Sequence, residues 1–162
     1  MSIIRPATPE DLQALCALYP EFHEFHVQGV PDRLSSLGTP EIFDCSELIA
    51  VLRRIMQGED SALFVAESGG CLVGLAEVYL RQDEPDPATI MHRYGYLQSL
   101  MVDAAFRRQG IATQLMAAAE RWAQEHGAAE MRVQIWEFDG DPLPFYERHG
   151  YRPLRRTLVR EL

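Results

Sequence analysis

Lysine is absent from this chain of 162 residues, so all 15 of its basic side chains are arginines. This absence excludes covalent catalysis through a Schiff base on a lysine of the protein itself. Cysteine is scarce as well, because Cys16, Cys45 and Cys71 are odd in number and lie far apart in the chain. Their spacing favours neither a disulfide framework nor a zinc knuckle. We therefore expect reduced thiols and no metal site.

Long apolar runs are also missing from the sequence. No stretch approaches the roughly 18 apolar residues that a membrane helix needs, and residues 1–11 contain no apolar signal-peptide core. The length suits one domain, residues 1–162. A hydrophobic content of 47% with 24% charged residues is typical of a chain that folds around a core. We expect a single-domain cytoplasmic protein with no membrane partner.

The net charge of −9 is unevenly distributed along the chain. Residues 1–102 hold 6 arginines and 15 acidic residues, whereas residues 103–162 hold 9 of each and are neutral. Binding to duplex nucleic acid requires a positive stripe, and an acidic chain without a basic block offers none. The composition therefore predicts no nucleic-acid partner.

Two helix starts share one pattern, a threonine followed by proline and acidic residues. Thr8-Pro9-Glu10-Asp11 and Thr39-Pro40-Glu41 each place a capping residue before proline at the first helical position. The acidic residues then meet the positive end of the helix dipole. Pro20 should limit or kink the first helix, which leaves residues 23–31 irregular or partly helical. The second helix should end at Gly58.

Alternating apolar residues and turn residues predict the rest of the chain. The expected elements are an edge strand at 2–6, a hairpin of 62–67 with 71–81, a loop at 82–89, a strand at 94–102, a helix at 110–126, a strand at 131–135, a short helix at 143–149 and two strand-like pieces around Arg155 and Arg156. The order β-α-α-β-β-β-α-β-α-β-β is a mixed α/β (α+β) arrangement in one domain.

The most informative segment is a strand, a short basic turn and a helix between Leu100 and Thr113. The first turn of a helix has unpaired N–H groups and a positive dipole end, so it can receive a phosphate. Gly110 and Ala112 are small enough for close approach to the backbone, and Arg107 and Arg108 add positive charge. The Gly-rich loops of nucleotide-binding proteins are absent. Taken alone, the segment is also compatible with a basic surface turn before an ordinary helix.

Two motifs in the correct order point to one family. Arg107-Arg108-Gln109-Gly110-Ile111-Ala112 resembles the acyl-CoA signature of the GNAT N-acetyltransferase superfamily, Arg/Gln-x-x-Gly-x-Gly/Ala. Residues 139–151 are similar to the second motif of that family, Asn-x-x-Ala followed by Phe-Tyr-x-x-x-Gly-Phe. The resemblance covers essentially the whole chain. It implies a mixed central sheet of six or seven strands, flanked by about four helices and splayed between the fourth and fifth strands.

The resemblance also implies which residues hold acetyl-CoA as the acyl donor. Backbone groups of the strand would pair with the pantetheine arm, the turn would hold the pyrophosphate, and Tyr146 would stand near the CoA sulfur. Asp139 occupies a position where the family usually has asparagine, so the amide contact to the cofactor is lost or altered. The implied cofactor-binding residues are Leu100, Met101, Val102, Arg107, Arg108, Gln109, Gly110, Ile111, Ala112, Thr113, Asp139 and Tyr146.

The expected chemistry is direct attack of an amine on the thioester. Backbone N–H groups near Met101 and Val102 would stabilise the oxyanion, and the leaving thiolate needs a proton. Tyr146 is the candidate catalytic donor. Transfer from a phenol with a pKa near 10 to a thiol near 8.5 is uphill by roughly 2 kcal/mol unless the site lowers the phenol's pKa. Tyr146 is therefore expected to act as a hydrogen-bond donor as much as an acid.

The general base is harder to assign from the residues. Gln98 stands where many relatives of the family carry a glutamate, and glutamine cannot usefully accept a proton. Glu77, in an apolar strand, is the first candidate base and faces either the cleft or solvent. Glu137 is the second candidate.

The acceptor side is predicted from a few polar residues. His26, Glu77 and Gln98 are expected to bind the acceptor. His23 and His26 lie three residues apart, but without further ligands they favour a structural or pocket-lining role over a metal site. Trp122 and Trp136 are interpreted as core or strand-face aromatic residues.

We therefore predict an acetyl-CoA-dependent N-acetyltransferase that acts on a primary amine of a small, cationic acceptor. Protein or peptide N-acetylation is the alternative within the same class, and an acyl-CoA-binding module without catalysis is the alternative outside it. Family members are often dimers, so a homodimer is possible. A further hypothesis is that the acidic half steers a cationic amine to the cleft, with Glu24, Glu77, Asp83, Glu84 and Asp86 on the acceptor side. An acidic surface that serves solubility explains the same asymmetry equally well.

Overall fold

The computed structural model describes residues 1–38 and 43–162, and its strands form one mixed sheet. The strands are β1 (Ile3–Pro6), β2 (Ser61–Ser68), β3 (Cys71–Gln82), β4 (Arg93–Val102) and β5 (Glu130–Val133), and they lie in that order across the sheet. The first three pairings are antiparallel, and β4 pairs with β5 in parallel. A parallel pairing needs a crossover connection, which the helix between β4 and β5 supplies.

Four α-helices accompany the sheet in the described part of the chain. They are α1 (Leu12–Gly29), α2 (Ser46–Gln57), α3 (Ile111–Glu125) and α4 (Leu143–Arg148), and single 3-10 turns occur at Pro9–Asp11 and Ala104–Phe106. No helix among the described residues combines the length and apolarity needed to cross a membrane.

The sheet separates two apolar clusters because successive side chains of a strand point to opposite faces. Leu75 of β3 packs with Leu15 of α1 and Leu52 of α2 on one face. The next residue, Ala76, belongs to the cluster that contains Leu115 of α3 on the other face. Helices therefore cover both faces of the central strands, and the sheet's β4–β5 side is left to form a cleft.

The predicted helix starts and hairpin can be compared with the structure directly. The turn that begins at Pro9 leads into α1, as the first threonine–proline pattern predicts, whereas Thr39-Pro40-Glu41 lies outside the described residues. The predicted hairpin is present, since β2 and β3 pair around Gly69 and Gly70, whose φ angles are +57° and +80°. These left-handed conformations explain the glycine pair.

The prediction that Pro20 limits or kinks the first helix is wrong about its extent. The α1 helix continues through Pro20 to Gly29, so most of the segment that was expected to be irregular or partly helical is helical. An interior proline costs about 3 kcal/mol because it removes one hydrogen bond and crowds the preceding turn. Burial of Leu12, Leu15 and Leu18 on the same helix offsets this cost.

Five strands are found in the described structure, not six or seven. The strand predicted to reach residue 135 ends at Val133, and residues 152–162 are exposed and form no strand. This last segment contains Pro153 and four arginines at 152, 155, 156 and 160. A proline cannot donate to a strand ladder, and the arginines leave little apolar surface to bury.

Candidate active site

A cleft opens where the pairing of β4 with β5 ends. The two strands pair from Tyr94 with Glu130 as far as Leu97 with Val133. Beyond that point β4 continues to Val102, whereas β5 has ended. The resulting cleft has a volume of about 510 Å³, which lies within the range typical of small-molecule sites. The cleft lies beside the part of β4 that extends beyond the end of β5, and the splay between the fourth and fifth strands stays a prediction.

The cleft brings together about half of the residues predicted from the sequence. Those that line it are His26, Gln98, Leu100, Met101, Val102, Arg107, Ala112 and Tyr146. The others that were predicted do not line it: Glu77, Arg108, Gln109, Gly110, Ile111, Thr113 and Asp139. A smaller pocket of about 290 Å³ at the start of α1 and the end of α2 contains none of the predicted residues.

Several lining residues were not predicted from the sequence. They include Phe22, Phe25, Leu34, Gln134, Ile135, Trp136, Pro142 and Phe145. Trp136, expected to be a core or strand-face residue, is 44% exposed and faces this cleft. An exposed aromatic residue indicates a binding surface where it belongs to a contiguous apolar patch. The sequence alone does not show which residues share that patch.

Gln98 is the extra residue of a β-bulge in β4. Leu97 pairs with Val78 and Ser99 pairs with Glu77, so Gln98 has no partner on β3. The bulge lies at the point where β4 parts from β5, and Gln98 is exposed in the cleft. A bulge bends its strand and redirects side chains, and it is common next to active sites.

The backbone beyond the bulge presents one free edge to the cleft. The Asp103 N–H donates to the Val73 carbonyl at 2.9 Å. Because hydrogen-bonded and non-hydrogen-bonded pairs alternate in an antiparallel ladder, Met101 bonds to β3 while Leu100 and Val102 direct their backbone groups away from it. The Val102 carbonyl indeed accepts a hydrogen bond from Nε of Arg107 at 3.0 Å. Leu100 and Val102 therefore offer backbone groups to a ligand, whereas those of Met101 face β3.

The turn between β4 and α3 is a concave, basic loop. The Asp103 carboxylate accepts a hydrogen bond from the Ala105 N–H at 2.8 Å and fixes the first part of the turn. Arg108 and Gly110 have positive φ angles of +59° and +78°. Gly110 caps α3, and a Cβ built on it would meet no protein atom within 4 Å. Such a turn aims successive N–H groups at open space, which suits an anion.

The start of α3 adds further unpaired donors to this turn. Gln114 makes the first intrahelical bond, to Gly110, so the N–H groups before it have no partner within the helix. Ile111 is buried and anchors the helix to the core. Thr113 does not present a free hydroxyl, because its Oγ1 lies 3.0 Å from Nε2 of His149. Asp139 is exposed on a turn after β5.

Tyr146 of α4 is the buried tyrosine of the cleft. Only 6% of it is exposed, and its ring contacts Phe145 and Tyr151 at centroid distances of 5.3 and 5.4 Å. Burial raises its pKa to about 12, because the charged phenolate would lose its hydration. No hydrogen bond of its hydroxyl occurs within the described chain. The hydroxyl is therefore a neutral donor available to a ligand.

Glu77 lies beside the cleft but does not enter it. It is 6% exposed, and its carboxylate accepts hydrogen bonds from Tyr19 at 2.8 Å, Tyr79 at 2.6 Å and Ser99 at 3.1 Å. Burial and the neighbouring carboxylate raise the pKa of Tyr19 and that of Tyr79. The four side chains form a closed cluster between α1, β3 and β4, in which Glu77 is satisfied by three donors.

Two histidines of α1, His23 and His26, line the cleft. Nδ1 of His26 lies 3.0 Å from the Phe22 carbonyl, and Nε2 of His23 lies 2.8 Å from the Ser35 carbonyl. No group of three or more His, Cys, Asp or Glu side chains that could hold a metal occurs in residues 1–38 and 43–162. Both histidines are among the residues that line the cleft.

Charged groups in the cleft are few. Of the arginine, aspartate and glutamate residues in the described chain, Arg107 is the one that lines the cleft. None of the five acidic residues expected on the acceptor side lines it, and Asp83 instead forms an ion pair with Arg132 at 2.6 Å. The Arg132 guanidinium holds the pKa of Asp83 at about 2.

Comparison with known proteins agrees with the motifs. Residues 15–151 match the acetyltransferase (GNAT) family. YhfO of Bacillus subtilis (strain 168), an uncharacterised N-acetyltransferase, is 26% identical over 149 residues, which cover 91% of this chain and 88% of YhfO. An aminoglycoside N(6')-acetyltransferase type 1 of Salmonella typhimurium is 32% identical over 80 residues, 48% of this chain and 52% of that protein.

A solved structure shows the same fold. The aminoglycoside N-acetyltransferase AAC(6')-Iy, in complex with the bisubstrate analogue CoA-S-monomethyl-acetylneamine, superposes with a TM-score of 0.72 at 20% identity. The match covers 100% of this chain and 98% of that one. With a family match over most of its length, this chain belongs to the GNAT acetyltransferase family and is an acetyl-CoA-dependent N-acetyltransferase.

Proposed function

We propose that the protein transfers the acetyl group of acetyl-CoA to a primary amine of a small molecule by direct attack of the amine on the thioester. The observation that carries this proposal is the cleft between β4 and β5, which joins a free strand edge to the start of α3. A strand edge suits an amide-bearing arm, and a helix start suits a phosphate.

The residues of the turn fit the anionic part of acetyl-CoA. Gly110 leaves open space at its Cα, and the first N–H groups of α3 are unpaired within the helix. Arg107 and Arg108 are exposed beside them. We assign the pyrophosphate to the turn from Arg107 to Thr113, with the backbone and the arginines as donors. Asp139 is left out because its carboxylate would repel a phosphate.

The free edge of β4 fits the pantetheine arm and the reacting thioester. Acetyl-CoA supplies a thioester carbonyl whose oxygen gains negative charge when an amine attacks. The N–H groups of Leu100 and Val102 point to this edge and are preorganised donors for that charge. Tyr146 donates a hydrogen bond to the leaving sulfur, because a phenol with a pKa of about 12 is a poor acid but a good neutral donor.

The acceptor is assigned to the side formed by α1. Phe22 and Phe25 provide apolar and π surfaces there, and Gln98 provides a polar group at the bulge. An ammonium group can bind aromatic faces as well as carboxylates. An aminoglycoside acetyltransferase among the relatives supports a small amine as the acceptor class.

Thiol release in the presence of an amine panel tests this function. Acetyl-CoA is mixed with the protein and with neamine, kanamycin, spermidine, an amino-acid amide or a peptide with a free N-terminus. We expect release of CoA thiol that depends on one of the small amines, with the acetylated amine detected by mass spectrometry.

Three other outcomes count against the proposal. Turnover with the peptide alone would show a peptide acetyltransferase. Tight acetyl-CoA binding in calorimetry without turnover of any amine would show a binding module. Failure to bind acetyl-CoA would remove the assignment of the cleft.

A further inference from the structure

The group that removes the proton from the amine is the missing part of the site. Gln98 cannot accept a proton, and Glu77 is enclosed by three hydroxyl donors outside the cleft. Glu137 is exposed, does not line the cleft and lies 3.4 Å from Arg156. A protonated amine has no lone pair for attack, and a base within reach of the acceptor would supply the neutral amine at neutral pH.

His26 has the geometry of such a base. Its Nδ1 lies 3.0 Å from the Phe22 carbonyl, which can only accept, so Nδ1 carries the hydrogen. In the neutral ring Nε2 then holds the lone pair. No described side chain or backbone group bonds to Nε2. The edge-on rings of Phe22 and Phe25, at centroid distances of 4.7 and 5.3 Å, hold the imidazole in place.

The groups around His26 leave this role to it. The titratable and charged side chains that share the cleft are His23 of α1, Tyr96 of β4, Arg107 of the turn and Tyr146 of α4. Nε2 of His23, at the tip of the ring, binds the Ser35 carbonyl. Only Nδ1, the ring nitrogen nearer the backbone, is then left to accept a proton. Tyr96 donates to Gln134 at 2.9 Å. Arg107 and Tyr146 are donors in the cleft.

We propose that His26 is the general base that deprotonates the acceptor amine; this inference rests on the acetyltransferase function proposed above. Nε2 takes one proton from the ammonium group, and the freed lone pair attacks the thioester carbon. The C–N bond forms and the C–S bond breaks. The second proton leaves the nitrogen as the amide forms, and one proton is gained by the sulfur. His26 returns its own proton to solvent, which balances the reaction as ammonium plus thioester to amide, thiol and one released proton.

The test compares His26→Asn with wild type on the amine that wild type acetylates. Asparagine keeps a donor for the Phe22 carbonyl but has no titratable nitrogen. His126→Asn is the matched control, because Nδ1 of His126, the exposed residue that caps the C-terminal end of α3, makes the same bond to the carbonyl four residues earlier, that of Trp122 at 2.7 Å. His23→Asn is a second comparison within the cleft.

General-base catalysis contributes about 100-fold or more. We therefore expect His26→Asn to lower kcat/KM for the amine at pH 7 by about 100-fold, with unchanged acetyl-CoA affinity. The kcat/KM of the variant should rise more steeply with pH than that of wild type, because without a base in the cleft only the free amine in solution reacts. Added imidazole should restore part of the activity of His26→Ala.

Each contrary result has one meaning. A loss below threefold in His26→Asn with an unaltered pH profile would overturn the assignment, as would a larger loss in His23→Asn. Equal losses in His26→Asn and His126→Asn would show an effect on the fold. If wild type binds acetyl-CoA and acetylates no amine, the proposed function itself fails, and the role of His26 fails with it.

Discussion

Replacement of Tyr146 by phenylalanine isolates the hydroxyl that we assign to the leaving sulfur. The ring is buried against Phe145 and Tyr151, so phenylalanine keeps the packing and removes one oxygen. The pKa of about 12 at Tyr146 stands well above the thiol value near 8.5. The difference makes full proton transfer to the thiolate uphill by about 5 kcal/mol. The structure therefore sharpens the expectation from the sequence, because burial makes Tyr146 a poorer acid than an exposed phenol.

The expected loss follows from a hydrogen bond and not from a proton transfer. A hydrogen bond to a charged group contributes about 1.5–3 kcal/mol. If it forms only as the sulfur gains charge, kcat should fall by about 10- to 150-fold, since about 1.4 kcal/mol corresponds to tenfold. Binding of acetyl-CoA in its ground state should change by less than about twofold.

Steady-state thiol release and calorimetry measure the two quantities separately. We expect kcat of Tyr146→Phe to fall within the stated range while the dissociation constant of acetyl-CoA stays near that of wild type. Equal losses in kcat and affinity would make Tyr146 a binding residue. A kcat within twofold of wild type would show that its hydroxyl is not engaged, and a loss above about 10⁴-fold would show that it acts as an obligatory acid.

Three further predictions concern the turn, the buried carboxylate and the tyrosines. Gly110→Glu should abolish acetyl-CoA binding in calorimetry, because the glutamate side chain would enter the open space at this residue. Gly110→Ala should only lower the free energy of unfolding, by about 1 kcal/mol, because residue 110 has a φ of +78°. Equal affinity for acetyl-CoA in both variants would remove the phosphate assignment. Glu77→Gln should lower the free energy of unfolding in urea by about 1.5–3 kcal/mol, because three hydroxyls lose a charged acceptor. The affinity for acetyl-CoA should stay unchanged. A loss of turnover without a loss of stability would make Glu77 a candidate general base again. Burial raises the pKa of Tyr146 to about 12, so the folded protein keeps a proton that the unfolded chain loses near pH 10. The free energy of unfolding should therefore fall as the pH rises above about 10, by about 3 kcal/mol for this residue once the pH passes about 12. Denaturation curves that coincide at pH 9 and pH 11 would contradict this.

The elements that the sequence predicts well are those with a strong local pattern. The spacing of apolar residues predicts α2 and α3, and Gly69-Gly70 predicts the hairpin, because both signals act between near neighbours. The predicted extent of α1 was wrong, because burial of the helix's apolar face outweighs the local cost of Pro20. The two C-terminal strands were expected from residues that find no partner strand among those described.

Prediction of the site depends on contacts between segments that are distant in the sequence, more than prediction of the helices and the hairpin does. The turn from Arg107 to Ala112 and the role proposed for Tyr146 follow from motifs in the sequence. The bulge at Gln98 could not be predicted, because the register of β3 against β4 creates it and no glycine or proline marks it. Glu77 was ambiguous for a similar reason, since its donors Tyr19 and Ser99 are 58 and 22 residues away.

A crystal structure of the protein with CoA and the acetylated amine tests the central claim most directly. The account predicts the pyrophosphate at the turn before α3, the arm along the backbone edge of Leu100 and Val102, and the sulfur beside Tyr146. The amide product should lie on the α1 side, near Nε2 of His26. CoA bound elsewhere on the protein, or an arm that leaves the edge of β4 unpaired, would contradict the account.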